Sequence, residues 1–354
     1  MGFVMSEISK KRKIAILTSG GDAPGMNNVI HAVYKTVKAM NSEKQTNKNL
    51  SPEEKKPWEL LLIKGGYQGI LKKEIFEIDD HWKQLITNST KIGGTILGSA
   101  RFKAFEEEET RKKAKRILDE FGVGVLIAVG GDGTFAGLQK LSELGIQCIG
   151  IPGTIDNDVV STDVTIGFDT ALNTVVEAID RIRDTSNSHS RISIIEVMGR
   201  HCGDLAIHAA VNADLVATPG NPKIPEHELI NIVKDLHHKQ SLSSIVVLVT
   251  ENLYDVKKLA KNIEQELKVE TRATVLGQIQ RGGAPSASDR YLATMMGIFA
   301  VEQADKKGDS SVIIALQGNK LTVLPIHVAL SMQRSDRSAA VSKILRLSGI
   351  FYKK

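Results

Sequence analysis

Ile14-Ala15-Ile16-Leu17-Thr18-Ser19-Gly20-Gly21-Asp22-Ala23-Pro24-Gly25 runs an apolar, β-branched stretch into a glycine-rich corner, and residues 26–40 follow with helical character. Strand, corner and helix in that order make a βα unit, because parallel strands are joined through a crossover helix. The strand signal recurs at 60–63, 123–129, 147–151, 192–197, 245–250 and 312–316. Strands buried on both faces read as continuous apolar runs of this kind rather than as alternation. The expected fold is therefore α/β with mostly parallel sheets.

The 354 residues carry 46 Lys+Arg against 41 Asp+Glu, a net charge of +5, with 42% apolar residues and 30 Gly. At about 150 residues per domain the length suggests two domains with ample core, and disorder as the dominant state is excluded. No apolar run approaches the ~18 residues of a membrane span, and residues 1–13 lack the apolar stretch of a signal peptide. A soluble protein with no membrane partner is expected. Residues 1–6 fit the spacing of a myristoylation signal with Lys10-Lys11-Arg12-Lys13 behind it, a short pattern that chance often produces. Two cysteines, Cys148 and Cys202, cannot form a disulfide framework, which points to a reducing, cytoplasmic compartment. The positive charges are interspersed and aromatics make up only 5%, so an anionic metabolite fits better than nucleic acid.

Leu172, Val175, Val176, Ile179 and Ile182 share one helical face within 169–184, marking a core helix. Residues 105–121 carry Glu-to-basic i,i+4 pairs from Glu107, Glu108 and Glu109, the pattern of a solvated helix. The polar stretch 41–59, with Pro52 and Pro57 and no periodicity, reads as a mobile surface insertion. Glycine density falls after about residue 167, so a second domain is expected from 168.

Three glycine-rich corners follow apolar strands: Ser19-Gly20-Gly21-Asp22, Gly130-Gly131-Asp132-Gly133-Thr134 and Pro152-Gly153-Thr154-Ile155-Asp156-Asn157-Asp158. At the carboxyl edge of a parallel sheet such corners expose backbone N–H groups and helix N-termini, which favour phosphate. No G-x-x-x-x-G-K-[ST] is present, which disfavours a Walker-type nucleoside triphosphatase. Asp132, Asp156 and Asp158 would converge at this edge and suggest Mg²⁺ and a base, although Asp22, Asp132 and Asp158 taken singly also suit Asx turns or helix caps. Asp156 and Asp158 alternate, so in an extended stretch they would point to one side. Arg101, Arg200 and Arg281 each adjoin a glycine-rich segment, where a planar guanidinium can bind phosphate oxygens. His201 and Cys202 lack zinc-like partners and read as structural.

Taken together, Leu17 to Asn27, Gly93-Gly94-Thr95 to Arg101-Phe102, Gly130 to Thr134, Pro152 to Asp158, Glu196 to Arg200 and Gln280-Arg281-Gly282-Gly283 strongly resemble the bacterial ATP-dependent 6-phosphofructokinase family. The motifs occur in that family's order over about residues 13–325. The resemblance implies transfer of the γ-phosphoryl group of MgATP to the 1-hydroxyl of fructose 6-phosphate, a step of glycolysis. It implies two similar three-layer α/β domains with the site in a cleft, an allosteric homotetramer, and Mg²⁺ with ATP as cosubstrate. Residues 1–167 plus 280–330 would bind ATP and residues 168–279 plus 331–354 the sugar phosphate. By matching positions, Asp156 would be the base, Thr154 and Asp158 would position the sugar and the metal side, and Asp132 would hold Mg²⁺. Gly21, Tyr67, Arg101, Phe102, Gly131, Asp132, Gly133, Thr134 and Gly137 would contact ATP, with Tyr67 near the adenine. Met198, Gly199, Arg200, Glu251, Gln278 and Arg281 would bind the sugar phosphate, with Arg191 and Arg272 supplied by a neighbouring subunit. Arg101 and Arg200 would neutralise charge on the transferring group.

Pyrophosphate-dependent relatives place Asp at the position of Gly133 and Lys at that of Gly153, so glycine at both implies ATP as donor. Departures are also visible. His31 and Lys35 stand where the family has effector arginines, Asp214 replaces an effector glutamate, and Gln240-Ser241-Leu242-Ser243-Ser244 replaces a lysine-rich stretch, while Arg183 matches. Weak control by anionic effectors is expected. Gln278 replaces a histidine and cannot become cationic, so weaker fructose 6-phosphate binding is expected. Competing readings are a pyrophosphate-dependent enzyme, an NAD or lipid kinase sharing only residues 130–134, and a catalytically silent sugar-phosphate sensor. The joint presence of Asp132, Asp156, Asp158 and Arg200 favours catalysis.

Overall fold

The computed structural model describes residues 12–219, 224–239, 244–306 and 310–333. The myristoylation-like start, residues 240–243 of the altered effector stretch and residues 334–354 lie outside the described residues. The chain divides into two compact units. The first contains the described residues up to Thr154, with Val159–Gly167 and Gly283–Gln333; the second contains Ile155–Asp158 and Phe168–Gly282. Gln280, Arg281 and Gly282 thus stay with the second unit, where the sequence reading puts them in the first, and residues 331–333 fall in the first rather than the second.

The strands among the described residues are β1 (Lys13–Thr18), β2 (Glu59–Ile63), β3 (Ile75–Glu77), β4 (Val123–Gly130), β5 (Gln147–Pro152), β6 (Ile192–Val197), β7 (Leu215–Ala217), β8 (Ile245–Thr250), β9 (Thr271–Val275), β10 (Val312–Gln317) and β11 (Lys320–Pro325). In the first unit the sheet order is β11-β10-β5-β4-β1-β2-β3. The inner pairings are parallel, and only the edge strands β3 and β11 run antiparallel. The chain steps from β1 to β2 on one side and later to β4 on the other, so a topological switch point lies between β1 and β4.

Alternate residues of these strands, such as Ala15, Leu17, Leu61, Ile63, Leu126 and Ala128, share a buried cluster with residues of helices Gly66–Leu71, Glu108–Glu120, Asp132–Ser142 and Ile326–Ser331. Ile14, Ile16, Leu60, Leu62, Ile127 and Val129 are equally buried on the other face, where helices Met26–Thr46 and Ala287–Asp305 pack on each other. Helices on both faces give three layers. The second unit repeats the plan with a four-stranded parallel sheet, β7-β8-β6-β9. Helices Glu226–Lys239 and Val256–Leu267 cover one face, and Phe168–His189 and Asp204–Ala209 pack against the sheet as well. Strands β3, β7, β9 and β11 escape the sequence reading because they are short or partly exposed and carry no continuous apolar run.

The stretch 41–59, expected as a mobile insertion, is organised and tethered. Its first turns extend the helix Met26–Thr46, where solvent-facing side chains carry no apolar stripe to reveal it. The Asn41 carboxamide pairs with both backbone groups of Trp58, accepting from its N–H at 2.9 Å and donating to its carbonyl at 2.9 Å. Trp58 Nε1 donates to Asp305 Oδ1 (2.7 Å), which also takes the Lys44 ammonium. Arg12 donates to the carbonyls of Lys56 (2.7 Å) and Glu54 (3.2 Å) and lies over the Trp58 ring. Asn41→Ala removes two of these bonds, and a thermal scan is expected to show a midpoint lower by about 2–4 °C, corresponding to about 1–2 kcal/mol.

Candidate active site

In the first unit the ends of β1 and β4 lie flush, with Thr18 opposite Val129. Ser19 N donates to the Val129 carbonyl (3.0 Å), so the corner after β1 starts against the corner after β4. Gly130 has no room for a side chain: a Cβ there would meet Thr134 Oγ1 at 2.3 Å and Ser19 O at 2.6 Å. Gly131 and Gly133 are different. Neither has a positive φ, and a Cβ on either would meet nothing within 4 Å. Neither backbone strain nor packing explains glycine at these two positions, which open the first turn of helix Asp132–Ser142. Close approach of a ligand to the helix amides does explain it.

The segment before Arg101 is laced to the same edge. Thr18 Oγ1 bonds Thr95 Oγ1 and the Gly98 carbonyl (both 2.9 Å), and Ser99 Oγ donates to the Gly20 carbonyl (2.6 Å). Arg101 follows, exposed, with Phe102 half-buried. Asp132 is exposed at the first position of its helix. The third corner joins the other two through Gly153 N, which donates to the Gly130 carbonyl (3.0 Å).

Tyr67 does not present itself as a contact for a base. It is 4% exposed, its hydroxyl donates to the Thr134 carbonyl (2.6 Å), and its ring stacks on Phe105 at 4.1 Å. Burial raises its hydroxyl well above the ordinary range. Gly137 is glycine because a Cβ would meet the Tyr67 ring at 2.7 Å. Both residues support the helix that carries Gly131 to Thr134.

In the second unit the corners after β6, β8 and β9 gather at one sheet edge. Glu251 N donates to the Val197 carbonyl (2.7 Å), and Arg200 N donates to Glu251 Oε1 (2.9 Å). Arg200 itself sits at φ 53°, a strained region for a residue with a side chain. Residues 154–158 are not extended as expected. Asn157 adopts φ 51° and donates from Nδ2 to Asp204 Oδ2 (3.0 Å), which turns the chain between the two carboxylates. Alternation therefore does not bring Asp156 and Asp158 together; the turn does.

Asp156 is 7% exposed. Its carboxyl is pushed up to about 6, first by burial and then by the negative charges of Asp158 and Glu251, against the pull of Arg281 and Arg200. Five of the expected residues, Asp156, Asp158, Arg200, Glu251 and Arg281, thus share one electrostatic neighbourhood. Arg191 and Arg272 do not belong to it. Both pair with Glu270, Arg191 Nε at 2.7 Å and Arg272 Nε at 2.9 Å, at the amino ends of β6 and β9. A strand of six residues, roughly 20 Å, separates that edge from Arg200. Gln278 is exposed. Of the effector-type residues, Arg183 donates to Asp214 Oδ2 (3.0 Å) and the Asn212 carbonyl (2.8 Å), and the His31 imidazole is pushed down by burial and by Lys35. Among the described residues no helix is long and apolar enough to cross a membrane, and both cysteines are buried and form no disulfide.

The sequence reading missed Asn157, Asp204 and Gln280. Asn157 and Gln280 lie inside the motifs singled out, and their value appears only when the bonds of their carboxamides are traced.

A glycine-framed phosphate edge and a separate edge with a buried carboxylate among arginines define a phosphotransferase-like α/β protein. The family model for phosphofructokinase matches residues 13–304, and the chain belongs to that family. It is 44% identical to the ATP-dependent 6-phosphofructokinase of Spiroplasma citri over 97% of this chain and 99% of that protein. It is 45% identical to the enzyme of the same description from Clostridium botulinum strain Eklund 17B, over 91% of this chain and 95% of that one. The structure of phosphofructokinase from Saccharomyces cerevisiae matches with a TM-score of 0.76 and 29% identity, covering 96% of this chain and 47% of the yeast chain. A pyrophosphate-dependent phosphofructokinase from Marinobacter aquaeolei shares the fold, with a TM-score of 0.78 at 18% identity over 97% of this chain and 92% of that one.

The raised Asp156 carboxyl carries a stability consequence. Its folded value lies above the ordinary one, so the folded state takes up a proton between about pH 4 and 6 and must hold a buried charge above that window. Asp156→Asn removes this cost, at most about 3 kcal/mol. Its thermal midpoint is expected to exceed that of the unaltered protein at pH 8 and to converge with it below pH 4.

Proposed function

We propose that this chain transfers the γ-phosphoryl group of ATP to the 1-hydroxyl of fructose 6-phosphate, giving fructose 1,6-bisphosphate and ADP in glycolysis. The observation that carries the reading is Asp156, a buried carboxyl poised at about 6 between two acids and two arginines. A base must be ionised at working pH yet still willing to accept a proton, and this balance supplies both. Asp156 takes the proton of the attacking hydroxyl, while Arg200 and Arg281 keep its carboxylate charged and attract the sugar phosphate. The open Gly131 and Gly133 let triphosphate oxygens reach the helix amides near Thr134, with Gly21 and Arg101 at the same edge. Phosphoryl transfer needs little beyond this positioning and charge neutralisation.

The donor follows from the relatives at 44% and 45% identity, both described as ATP-dependent. The packing at Gly153 supports it, since a Cβ there would already meet Val129 Cγ1 at 2.8 Å and a lysine has no place. Mg²⁺ fits the residues present. Among the described residues no group of three His, Cys, Asp or Glu could hold a metal ion, but Mg²⁺ with nucleotide takes one or two carboxylates and completes its shell with phosphate oxygens and water. Asp132, exposed at the helix start between the open glycines, would hold it, and the ion would neutralise phosphate charge.

A homotetramer with a shared sugar site accounts for Arg191 and Arg272. They are too far from Arg200 within one chain to serve its site, and a neighbouring copy would bring them there. Gln278 offers this site a hydrogen bond without charge. The Arg183 pairing with Asp214 leaves that guanidinium engaged, which accords with weak control by anionic effectors. The two buried cysteines, which form no disulfide, suit the cytoplasm.

A coupled spectrophotometric assay tests the reading. Turnover is expected with fructose 6-phosphate and ATP, and activity with pyrophosphate but not ATP would overturn the donor. Because the base must be ionised, the rate is expected to fall as pH drops through about 6, and Asp156→Asn is expected to lose about 10²–10⁴-fold in kcat together with that acid limb.

A further inference from the structure

We infer that Gln280 is a positioning residue of the sugar-phosphate side. Its buried carboxamide ties the Met198-Gly199-Arg200 corner to the Gly277–Arg281 turn, and so sets where the Arg200 and Arg281 guanidiniums stand beside Asp156. The inference rests on the proposed reading and deepens it.

The last backbone bond between β6 and the chain leaving β9 is Leu276 N to the Glu196 carbonyl (3.0 Å). Beyond it the two chains leave the ladder, yet both must deliver an arginine to the same place. Gln280, 0% exposed, spans the gap: Oε1 accepts from Met198 N (3.1 Å) and Nε2 donates to the Gly277 carbonyl (2.9 Å). On the other flank of β6, Glu251 does the matching task by accepting from Arg200 N (2.9 Å). The result is a continuous strap from Arg281 through Gln280, Met198 and Arg200 to Glu251, across the ends of β9, β6 and β8.

Only a carboxamide completes this strap. It must accept from an N–H and donate to a carbonyl at once, which a carboxylate or an apolar side chain of the same length cannot do. Losing it leaves two part-buried backbone groups without these partners and lets both corners relax. Asp156 is faced by Asp158, Glu251, Arg281 and Arg200, so retreat of the two arginines removes the cations that lower its carboxyl.

The test compares the unaltered full-length protein with Gln280→Met and Gln280→Glu, following thermal midpoint, KM for each substrate and the pH profile of kcat. Gln280→Met is expected to raise KM for fructose 6-phosphate about tenfold or more while leaving KM for ATP within about twofold, and to move the acid limb to higher pH. Gln280→Glu keeps the acceptor toward Met198 N and is expected to show an intermediate KM. A folded Gln280→Met with unchanged KM for fructose 6-phosphate and an unchanged acid limb overturns the inference. If that variant does not fold, an unchanged KM in Gln280→Glu overturns it, and so does failure of both to fold, which would make the carboxamide an element of the fold instead. An unaltered protein that does not phosphorylate fructose 6-phosphate refutes the proposed function itself, separately from the role of Gln280.

Discussion

The parallel pairing of β1 with β4 is the constraint on which the first unit depends. Their ends lie level, Ser19 N closes onto the Val129 carbonyl at 3.0 Å, and Gly130 leaves no space for any side chain between Thr134 and Ser19. Two corners that lie more than a hundred residues apart in sequence are thereby held as one surface. The rest of the unit secures it: Tyr67 props the helix of Thr134 from below, Thr18 and Ser99 fasten the segment leading to Arg101, and Gly153 adds the third corner.

The second unit works under an electrostatic constraint. Burial, Asp158 and Glu251 all push the Asp156 carboxyl up. Arg281 and Arg200 counter them and leave the group poised near 6. Such a balance is sensitive to small movements of charge, so the backbone carrying each arginine is tied down. Glu251 holds one corner and Gln280 the other. The left-handed turn at Asn157, fastened to Asp204, fixes the carboxyl itself. Two residues in the left-handed region, Asn157 and Arg200, thus stand beside the bonds of Asp204, Glu251 and Gln280.

Much of this was legible in the residues alone. Continuous apolar runs announced the longer buried parallel strands β1, β2, β4, β5, β6, β8 and β10, because such strands are covered on both faces and carry no polar alternation to confuse the reading. Asp156, Arg200 and Arg281 could be named because they lie inside compact motifs, and Glu251 only through the family resemblance. Other features were hidden for identifiable reasons. The edge strands β3 and β11 bury too little to leave a pattern, and the last turns of the first helix face solvent, so residues 41–59 looked unstructured although Asn41, Lys44 and Arg12 hold them. Tyr67 and Gly137 were expected from the family resemblance as ligand contacts, and the structure adds that they pack on each other.

By itself the sequence determined the α/β class, the glycine corners, the family and the set of charges available for phosphoryl transfer, since these depend on residue type and local order. Only the tertiary structure decided which glycines serve packing and which leave space for a ligand, which arginines reach Asp156 and which stand a strand's length away, and which carboxamide joins the two corners. Those outcomes depend on distances between segments remote in the chain, and a hydrogen bond or a Coulomb interaction is decided by such distances rather than by composition.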